Sequence, residues 1–352
     1  MMMEPRLYLP YVVGTESPIP FLFEKTAPYF ANKYIITIHS QDGKTFGSNR
    51  ISEIKTHNES VLDKILKFGI SSINQFDLIH TGAGGRLHYH SAQLGTMRNR
   101  NAKHIHTFRV DIDPERWNPE IRRRTAEMAD VVTAVSEHTA RTAEREFGIS
   151  PKVIYNGVDL NEFAPDRGPS KVLEDLGINE PVFLFVGAFH TRKRPLDFVK
   201  VASRVPDASF VMAGDGPQFD TAKRRAESID NLYLLGRVEK SKLPPIYAEA
   251  SGFIFPSTQE GCPNVVLESL ASGTPVLGYE ATSMPELVET GRTGELVEPE
   301  DIDRLVGAVN RLLETDIESM GLKAREYAVE NHRFKHIANQ YLEVYEDVLT
   351  QE

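Results

Sequence analysis

The sequence predicts an α/β protein with two doubly wound, Rossmann-like domains. The chain has 352 residues, which is more than one hydrophobic core usually serves. Short apolar, β-branched runs alternate with longer helical patterns, which is typical of parallel sheets covered by helices on both faces. A segment rich in glycine, proline and aspartate, residues 157–170, divides this alternation into two series and is interpreted as a linker.

Each series consists of short predicted strands that are mostly separated by helical segments, for example 86–98 and 117–129, and residues 300–350 are helical without a strand. The predicted strands are 6–13, 34–40, 76–81, 103–108, 131–136 and 152–156 in the first series, and 181–187, 208–214, 231–236, 251–257, 274–279 and 294–299 in the second. Ligands of such sheets bind at the carboxyl ends of the strands, so the two domains are expected to bind a ligand in a central cleft between them.

The composition limits the class of protein. Apolar residues make up 40% and charged residues 26% of the chain, as in soluble globular proteins. The formal charge of −10 argues against a general nucleic-acid binder, which carries a basic domain or stripe. A single cysteine fits a reducing compartment. No signal-peptide pattern and no long apolar run is found, so a cytoplasmic location is expected.

A basic segment follows the strand predicted at 181–187. Arg192, Lys193 and Arg194 precede a helix that is expected to begin near Pro195, a residue suited to a first helical turn. Cations beside a helix N-terminus, at the carboxyl end of a strand, attract an anion such as a phosphate. A solvated basic turn is an equally good interpretation of this segment alone.

The strand predicted at 208–214 ends in the sequence GDGP. Gly214 and Gly216, on either side of Asp215, allow a ligand to approach the backbone closely. The same residues also make an ordinary turn.

The segment PSTQEGCPNVVLESLASGTPV, residues 256–276, places Glu260 before a predicted helix and Glu268 inside it. The helix is expected to begin near Asn264, whose side chain is a candidate N-cap, and to end before Gly273. Its first N–H groups form an anion site that needs no metal. Acids near a helix start also simply favour the helix dipole, which explains Glu260 but not an acid within an apolar helix. A nucleotide-diphosphate-sugar would contact both carboxylates.

These segments, in this order, resemble the family-4 retaining glycosyltransferases of the GT-B fold. In the second half the resemblance is carried by FVG…RKRPLDFVKVA, FVMAGDGP, LYLLGRV, IFPSTQEGCPNVVLESLASGTPVLGY and PELVETGRTGELVEPED. In the first half it is carried by ADVVTAVSEHT, KVIYNGVDLNEFAP and, more loosely, FDLIHT. The two glutamates form the family's E-x7-E element, which is specific together with its flanks.

The resemblance implies a role for each candidate residue. Glu268 would hold the donor ribose, Glu260 would lie near the donor sugar, and Lys193, with Arg192, would bind phosphate. The catalytic candidates are Glu260, Lys193 and Arg192. The donor-binding candidates are Gly14, Gly214, Asp215, Gly216, Cys262, Pro263, Asn264, Val265 and Glu268.

The chain departs from the family pattern in places that bear on the acceptor and on catalysis. Ala188 stands where the family often has an arginine, and Arg109 stands where many members have a histidine. The loop after the first strand has one glycine, Gly14, where the family usually has two. Arg109 and His80, which ends a predicted strand, are the acceptor-side or cleft candidates.

The resemblance also implies the domain arrangement. Residues 1–165 would form the acceptor-side domain and residues 166–332 the donor-binding domain. Residues 333–352 would form a helix that packs back on the first domain.

The implied function is a retaining, metal-independent hexosyltransferase of glycan biosynthesis with no cofactor. Its partners would be a nucleotide-sugar donor and a sugar, glycan or lipid-linked acceptor, and no nucleic acid. Two alternatives stay open. One is a nucleotide-sugar-binding protein without transferase activity, which Ala188 and Arg109 favour, and the other is a GT-B sugar-nucleotide epimerase.

Three other patterns each have two interpretations. Asp111 and Asp113 have the spacing of a metal-binding pair, but the E-x7-E element favours the metal-free fold. The pairs His88/His90 and His104/His106 are interpreted as core or cleft residues, since a zinc site needs further ligands. The basic segment 116–124 would allow peripheral contact with the inner face of the cell membrane, although its interspersed acids favour a solvated helix face.

Overall fold

The computed structural model describes residues 4–13, 18–40, 46, 48–55, 76–82, 86–109, 118–178 and 181–350. The chain divides into two compact units. The first consists of Met1–Asn156 together with Phe334–Glu352, and the second is Gly157–Arg333.

The described strands of each unit form a parallel β-sheet. The strands are β1 (Arg6–Val13), β2 (Ile35–Ser40), β3 (Ile51–Lys55), β4 (Leu78–Gly82), β5 (Lys103–Phe108), β6 (Val131–Ala134) and β7 (Lys152–Val153) in the first unit, and β8 (Val182–Val186), β9 (Ser209–Ala213), β10 (Leu232–Gly236), β11 (Gly252–Phe255), β12 (Val276–Tyr279) and β13 (Gly294–Val297) in the second. The strand orders are β3-β2-β1-β4-β5-β6-β7 and β10-β9-β8-β11-β12-β13. Both sheets therefore reverse their winding direction once, next to the first strand of the unit.

Helices connect most of the strands. The described helices are α1 (Pro18–Phe30), α2 (Arg86–Arg98), α3 (Pro119–Glu127), α4 (Glu137–Phe147), α5 (Lys171–Asp175), α6 (Pro195–Ala202), α7 (Phe219–Ala226), α8 (Leu243–Glu249), α9 (Asn264–Ala271), α10 (Met284–Leu287), α11 (Ile302–Glu314), α12 (Ile317–Asn331) and α13 (Phe334–Thr350). Strands alternating with helices confirm the predicted α/β class of two Rossmann-like domains.

All the strands predicted from the sequence are present, with ends that differ by a few residues. The structure also contains strand β3, which the sequence does not predict. Its sequence, ISEIK, places its two apolar residues, Ile51 and Ile54, three positions apart, so it shows neither the continuous apolar run nor the alternation that marks a strand. Its position at the edge of the sheet explains why so few apolar residues suffice.

The C-terminal helix α13 belongs to the first unit. Its apolar face packs against α1 in the core of that unit. Tyr345 makes edge contacts with Phe30 and Tyr34, with ring centroids 5.3 and 5.7 Å apart. Buried aromatic contacts of this kind contribute about 0.5–1.5 kcal/mol each beyond their area burial.

The boundary between the units differs from the predicted one. The first unit ends at Asn156 rather than at residue 165, because the predicted linker is fastened to the second unit. The backbone N–H of Val158 donates to the carbonyl oxygen of His332 at 2.8 Å. The Arg325 guanidinium donates to the carbonyl oxygens of Leu160 at 3.0 Å and Phe163 at 2.7 Å. These bonds give a glycine- and proline-rich segment a fixed path.

The positive charge of the basic segment 116–124 is mostly neutralised where the structure describes it, in and beside helix α3. Described residues of this segment begin at Asn118, so Arg116 and Trp117 lie outside them. Arg122 is 1% exposed and stacks on Phe108, 5.7 Å from its ring centroid. The other two arginines of α3 form ion pairs with Glu120 and Glu127. Among the described helices, none is long and apolar enough to cross a membrane.

A network of buried histidines lies inside the first unit. His80 is 0% exposed, and its ring nitrogens contact the hydroxyl of Tyr345 at 2.6 Å and that of Thr107 at 2.7 Å. The hydroxyl of Thr81 contacts His104 at 2.7 Å and His106 at 2.9 Å. His80 is therefore an internal residue that joins α13 to the sheet, which corrects its assignment as a cleft residue. Because β5 is a strand, the other two histidines share one face, as expected.

The buried histidines predict acid sensitivity. Burial, opposed by the backbone of Met128 and by Asp130, lowers the pKa of His104 from 6.5 to about 4. Below pH 6.5 the unfolded chain takes up this proton while the folded chain does not, so the free energy of unfolding falls as the pH is lowered toward 4. His104→Gln should remove about 2 kcal/mol of the loss between pH 7 and pH 5.

Hydrogen exchange of the β5 amides at both pH values measures this effect in the first unit alone. His90→Gln, at an exposed position of α2, is the control and should leave the pH dependence as in the wild type. An equal pH dependence in His104→Gln and the wild type would contradict the assignment.

Candidate functional site

The candidate site lies in the second unit, where the sheet reverses its winding direction. From β8 the chain proceeds through β9 to β10 on one side, and then through β11 and β12 to β13 on the other. Ligands of open α/β sheets bind at such a switch point, outside the carboxyl ends of the strands. The predicted basic segment follows β8 and the predicted acidic loop follows β11, so the topology brings these two together.

The segment after β8 is held in a defined shape by its own ion pairs. Thr191–Lys193 form a 3-10 helix, and Arg194 has a left-handed backbone with φ 50°. The Arg194 guanidinium donates to Asp197 at 2.5 Å and to Glu300 at 3.0 Å. The hydroxyl of Tyr279 donates to the Asp197 carboxylate at 3.0 Å. Of the three predicted cations, Arg194 therefore anchors the start of α6 instead of facing the candidate site.

The other two cations meet Glu260. The Lys193 ammonium donates to Glu260 Oε1 in a direct ion pair, and Arg192 Nη1 lies 3.8 Å from the same oxygen. The hydroxyl of Ser257 donates to that oxygen at 2.6 Å. The ammonium also lies 4.7 Å from the centroid of the Phe255 ring. Glu260 is 7% exposed, and an ion pair removed from water is stronger than one at the surface.

The backbone of Arg192 joins the two loops. Its carbonyl oxygen accepts from the backbone N–H of Thr258 at 2.9 Å, and its guanidinium donates to the carbonyl oxygen of Gln259 at 3.0 Å. The loop after β11 is therefore fastened to the loop after β8 immediately before Glu260. This double connection holds the segment before Glu260 close to the cations on one side.

The GDGP turn supports the loop after β8 from beneath. Gly214 and Gly216 have φ angles of 139° and 151°. A Cβ at Gly214 would lie 1.9 Å from the carbonyl oxygen of Gly187, and one at Gly216 would lie 2.9 Å from the nitrogen of Phe189. The close approach that these glycines permit is thus to the chain's own backbone. Asp215 is exposed between them, and its side chain accepts from the N–H of Gly216 at 2.7 Å.

Helix α9 begins at Asn264, as predicted, but Asn264 is not its N-cap. The cap residue is Pro263, whose side chain accepts no hydrogen bond from the helix. The helix ends in a Schellman motif, in which Gly273 (φ 75°) donates to Leu270 and Thr274 donates to Ser269. The N-terminus of α9 follows directly after Glu260 and Cys262, so its dipole points at the same region.

Glu268 occupies a different environment from Glu260. It is 9% exposed in α9, and the hydroxyl of Tyr247 donates to its Oε2 at 3.3 Å. Burial raises the pKa of Glu268 to about 7, although Lys240 and the Tyr247 hydroxyl act in the opposite direction. A carboxyl group with a pKa near 7 is only partly ionised at neutral pH, and it becomes fully charged when a ligand donates hydroxyl hydrogen bonds to it.

The other candidate residues are placed as follows. Cys262 is buried, and Val265 lies in the first turn of α9. Arg109 follows β5 in the first unit, is 5% exposed and lies over the ring of Phe23 at 4.7 Å. Gly14, Asp111 and Asp113 lie outside the described residues. Within the described part of the chain, no group of three His, Cys, Asp or Glu residues is arranged to hold a metal ion.

Several contributors were missed by sequence reasoning. Ser257 and Tyr247 contact the two glutamates, and Thr282 accepts from the N–H of Glu260 at 3.0 Å. Only Ser257 has a sequence signal, because it closes the strand that precedes the loop. The other two arrive from distant parts of the chain through tertiary packing.

Family models match both halves of the chain. One described as "Glycosyltransferase Family 4" matches residues 23–162, and one described as "Glycosyl transferases group 1" matches residues 180–315. The chain therefore belongs to the family-4 glycosyltransferases, and its two Rossmann-like units have the GT-B fold. The family and the fold inferred from the sequence are thereby confirmed.

Individual relatives agree with this family. The chain is 30% identical over 233 residues to a GDP-mannose-dependent alpha-(1-6)-phosphatidylinositol monomannoside mannosyltransferase of Mycolicibacterium smegmatis, covering 60% of this chain and 61% of that protein. It is 31% identical over 256 residues to an alpha-maltose-1-phosphate synthase of the same organism, covering 65% and 66%. The matched segments thus span about three fifths to two thirds of the length of these relatives.

Solved structures share the fold over the whole chain. Anabaena Alr3699/HepE in complex with UDP and glucose has a TM-score of 0.81 at 18% identity, covering 98% of this chain and all of that one. A sucrose-phosphate synthase from Thermosynechococcus elongatus has a TM-score of 0.77 at 20% identity, covering 99% and 100%.

The raised pKa of Glu268 predicts a pH-dependent stability. Between pH 4.5 and about 7 the unfolded chain loses this proton while the folded chain keeps it. The contribution of this group to the free energy of unfolding is therefore present below pH 4.5 and is lost as the pH rises through 7. Glu268→Gln has no such proton, so its stability relative to the wild type should rise by about 3 kcal/mol between pH 4 and pH 8.

Urea unfolding of the wild type and the variant at four pH values measures this difference. Glu314→Gln, at an exposed position at the end of α11, is the matched control. A constant difference across the range would show that the carboxyl is not held in its neutral form.

Proposed function

We propose that this protein is a retaining glycosyltransferase that moves a sugar from a nucleotide-diphosphate-sugar to a glycan, lipid-linked or small-molecule acceptor. One observation carries the proposal: at the switch point of the second sheet, Lys193 and Arg192 meet Glu260 beside the N-terminus of α9. Cations, a helix N-terminus and a carboxylate suit a ligand that has a diphosphate at its centre and hydroxyl groups beside it.

The donor would bind along this row of groups. Its diphosphate would lie at the N-terminus of α9 and its ribose would face Glu268, whose carboxyl has two oxygens for two hydroxyl donors. The sugar would face Glu260. The positions of the two glutamates on either side of the helix start support contacts on both sides of the diphosphate, and the family resemblance implies which glutamate faces the ribose. The names of the relatives support a nucleotide-sugar, since one is a GDP-mannose-dependent enzyme and one structure holds UDP and glucose.

Transfer would depend on charge stabilisation at the leaving diphosphate. As the bond between sugar and phosphate breaks, negative charge grows on the phosphate and positive charge on the sugar. Lys193 and the α9 N-terminus are fixed before the reaction and would stabilise the negative charge. Glu260 would stabilise the positive charge or orient the sugar. No metal is required in this scheme, because the lysine, the arginine and the helix supply the positive potential.

The reaction type distinguishes transfer from the other candidate activities. Incubation with nucleotide-sugar and an acceptor should give nucleoside diphosphate and a product with the donor's anomeric configuration, and EDTA should not reduce the rate. Donor turnover without an acceptor would indicate an epimerase instead. Donor binding without any turnover would indicate a binding protein. The cytoplasmic location expected from the sequence belongs to the same proposal.

Nucleoside diphosphate binding should depend on the ionisation of Glu268. Because its pKa is raised to about 7 and ribose hydroxyls donate best to the charged form, binding should release a proton. The affinity for a nucleoside diphosphate should therefore rise about tenfold from pH 6 to pH 8. Calorimetry in buffers of different ionisation enthalpy measures the proton directly.

Glu268→Gln should bind more weakly, without this pH dependence, and Glu314→Gln should behave as the wild type. If the variant keeps both the affinity and the pH dependence, Glu268 does not contact the ribose.

Lys193 should act mainly on the rate. Lys193→Ala removes the cation that stabilises the departing diphosphate, so turnover should fall about 100-fold, the loss typical of one stabilising group in a reaction centre. Initial rates of nucleoside diphosphate release measure it. Lys223→Ala removes an exposed lysine from α7 and should keep the wild-type rate. Equal rates in the two variants would remove Lys193 from the mechanism.

A further inference from the structure

The loop between β12 and α10 contains a strained residue. Thr282 has a φ of 50°, and the other described non-glycine residues with a positive φ are Arg194 and Glu300. A β-branched side chain in the left-handed region is a true outlier. Such strain persists where surrounding contacts determine the conformation, and it occurs most often at functional sites.

The contacts of this loop converge on Glu260. Thr282 Oγ1 accepts the backbone N–H of Glu260 at 3.0 Å, and the hydroxyl of Ser283 donates to the backbone carbonyl oxygen of Glu260 at 3.3 Å. Two consecutive side chains therefore hold the backbone N–H and the backbone carbonyl oxygen of Glu260. Ser283 is fully buried, so this clamp is not a surface contact.

The clamp acts on a segment with no regular secondary structure. Between the end of β11 and the start of α9 the chain forms neither a helix nor a strand. On one side, the segment is fastened to the loop after β8 through Thr258 and Arg192. On the other side, Thr282 and Ser283 hold it from the end of β12. Removing one of the two fastenings leaves the position of the Glu260 backbone set by one side only.

We propose that Thr282 is a positioning residue, whose hydroxyl sets where the Glu260 carboxylate stands relative to Lys193. The proposal rests on the proposed function, because it assigns Glu260 to the sugar side of the reaction. Thr282 itself touches neither the cations nor α9 in this role. Its loss should therefore affect turnover and leave the binding of a nucleoside diphosphate, which lacks the sugar, unchanged.

Four substitutions separate the hydroxyl from the backbone strain. Thr282→Ser keeps the hydroxyl. Thr282→Val, Thr282→Ala and Thr282→Gly all lack it, but glycine alone adopts a positive φ without strain. Turnover should therefore fall about five- to tenfold, equally, in the Val, Ala and Gly variants, as expected for one lost hydrogen bond. The melting temperature should instead rank Gly above Ala and Val.

The two rankings distinguish positioning from a merely structural role. If Thr282 only supported the fold, turnover would follow the melting temperature, and Thr282→Gly would be the most active of the three variants that lack the hydroxyl. That result would overturn the proposal. Near-wild-type turnover in Thr282→Ser, together with unchanged nucleoside diphosphate affinity in all four variants, would support it.

A second measurement keeps the proposal separate from the proposed function. Hydrogen exchange of the Glu260 amide needs no substrate. It should be slow in the wild type and in Thr282→Ser, and clearly faster in the Ala, Val and Gly variants. Unchanged exchange in those three variants would overturn the clamp, whatever the enzyme does. If exchange accelerates but the wild type transfers no sugar with any donor, the clamp stands and the proposed function fails.

Discussion

The ion pair between Lys193 and Glu260 is the contact on which the candidate site depends. Its two residues come from loops after different strands, β8 and β11. They meet because these strands are neighbours at the reversal point of a parallel sheet. A buried charge without a partner is costly, so neither loop can move away alone. The pair therefore holds together the two parts of the chain that a diphosphate would contact.

Much of the surrounding structure serves to fix this pair. Arg194 has a left-handed backbone conformation and forms an ion pair with Asp197. This conformation turns the chain so that Lys193 faces the opposite loop. Gly214 and Gly216 let a second loop pack directly beneath the first. Both arrangements use residues that, in the sequence, are equally compatible with direct ligand contact. The residue types that support a binding site are therefore the same as those that contact its ligand.

This overlap decides how much the sequence could predict. The two sheets apart from β3, and the placement of Glu260, Glu268 and Lys193 beside strand ends, follow from local patterns, because each pattern lies within one strand-loop-helix unit. The contributions of Tyr247 and Thr282 depend on packing between distant segments, and neither has a local signal. His80 shows the opposite error. A histidine at the end of a strand suggests a ligand site, but its two ring nitrogens are both used inside the core.

The two glutamates illustrate how environment separates identical side chains. Glu260 is held by an ammonium and a hydroxyl, so its negative charge is balanced before any ligand arrives. Glu268 contacts a tyrosine hydroxyl in an apolar helix, and burial raises its pKa to about 7. A ligand that brings hydroxyl donors changes the charge of Glu268, whereas Glu260 already has a cation beside it. A nucleotide-sugar would therefore release a proton at Glu268 through its ribose. At Glu260 its sugar would meet a carboxylate that Lys193 and Ser257 already hold in place.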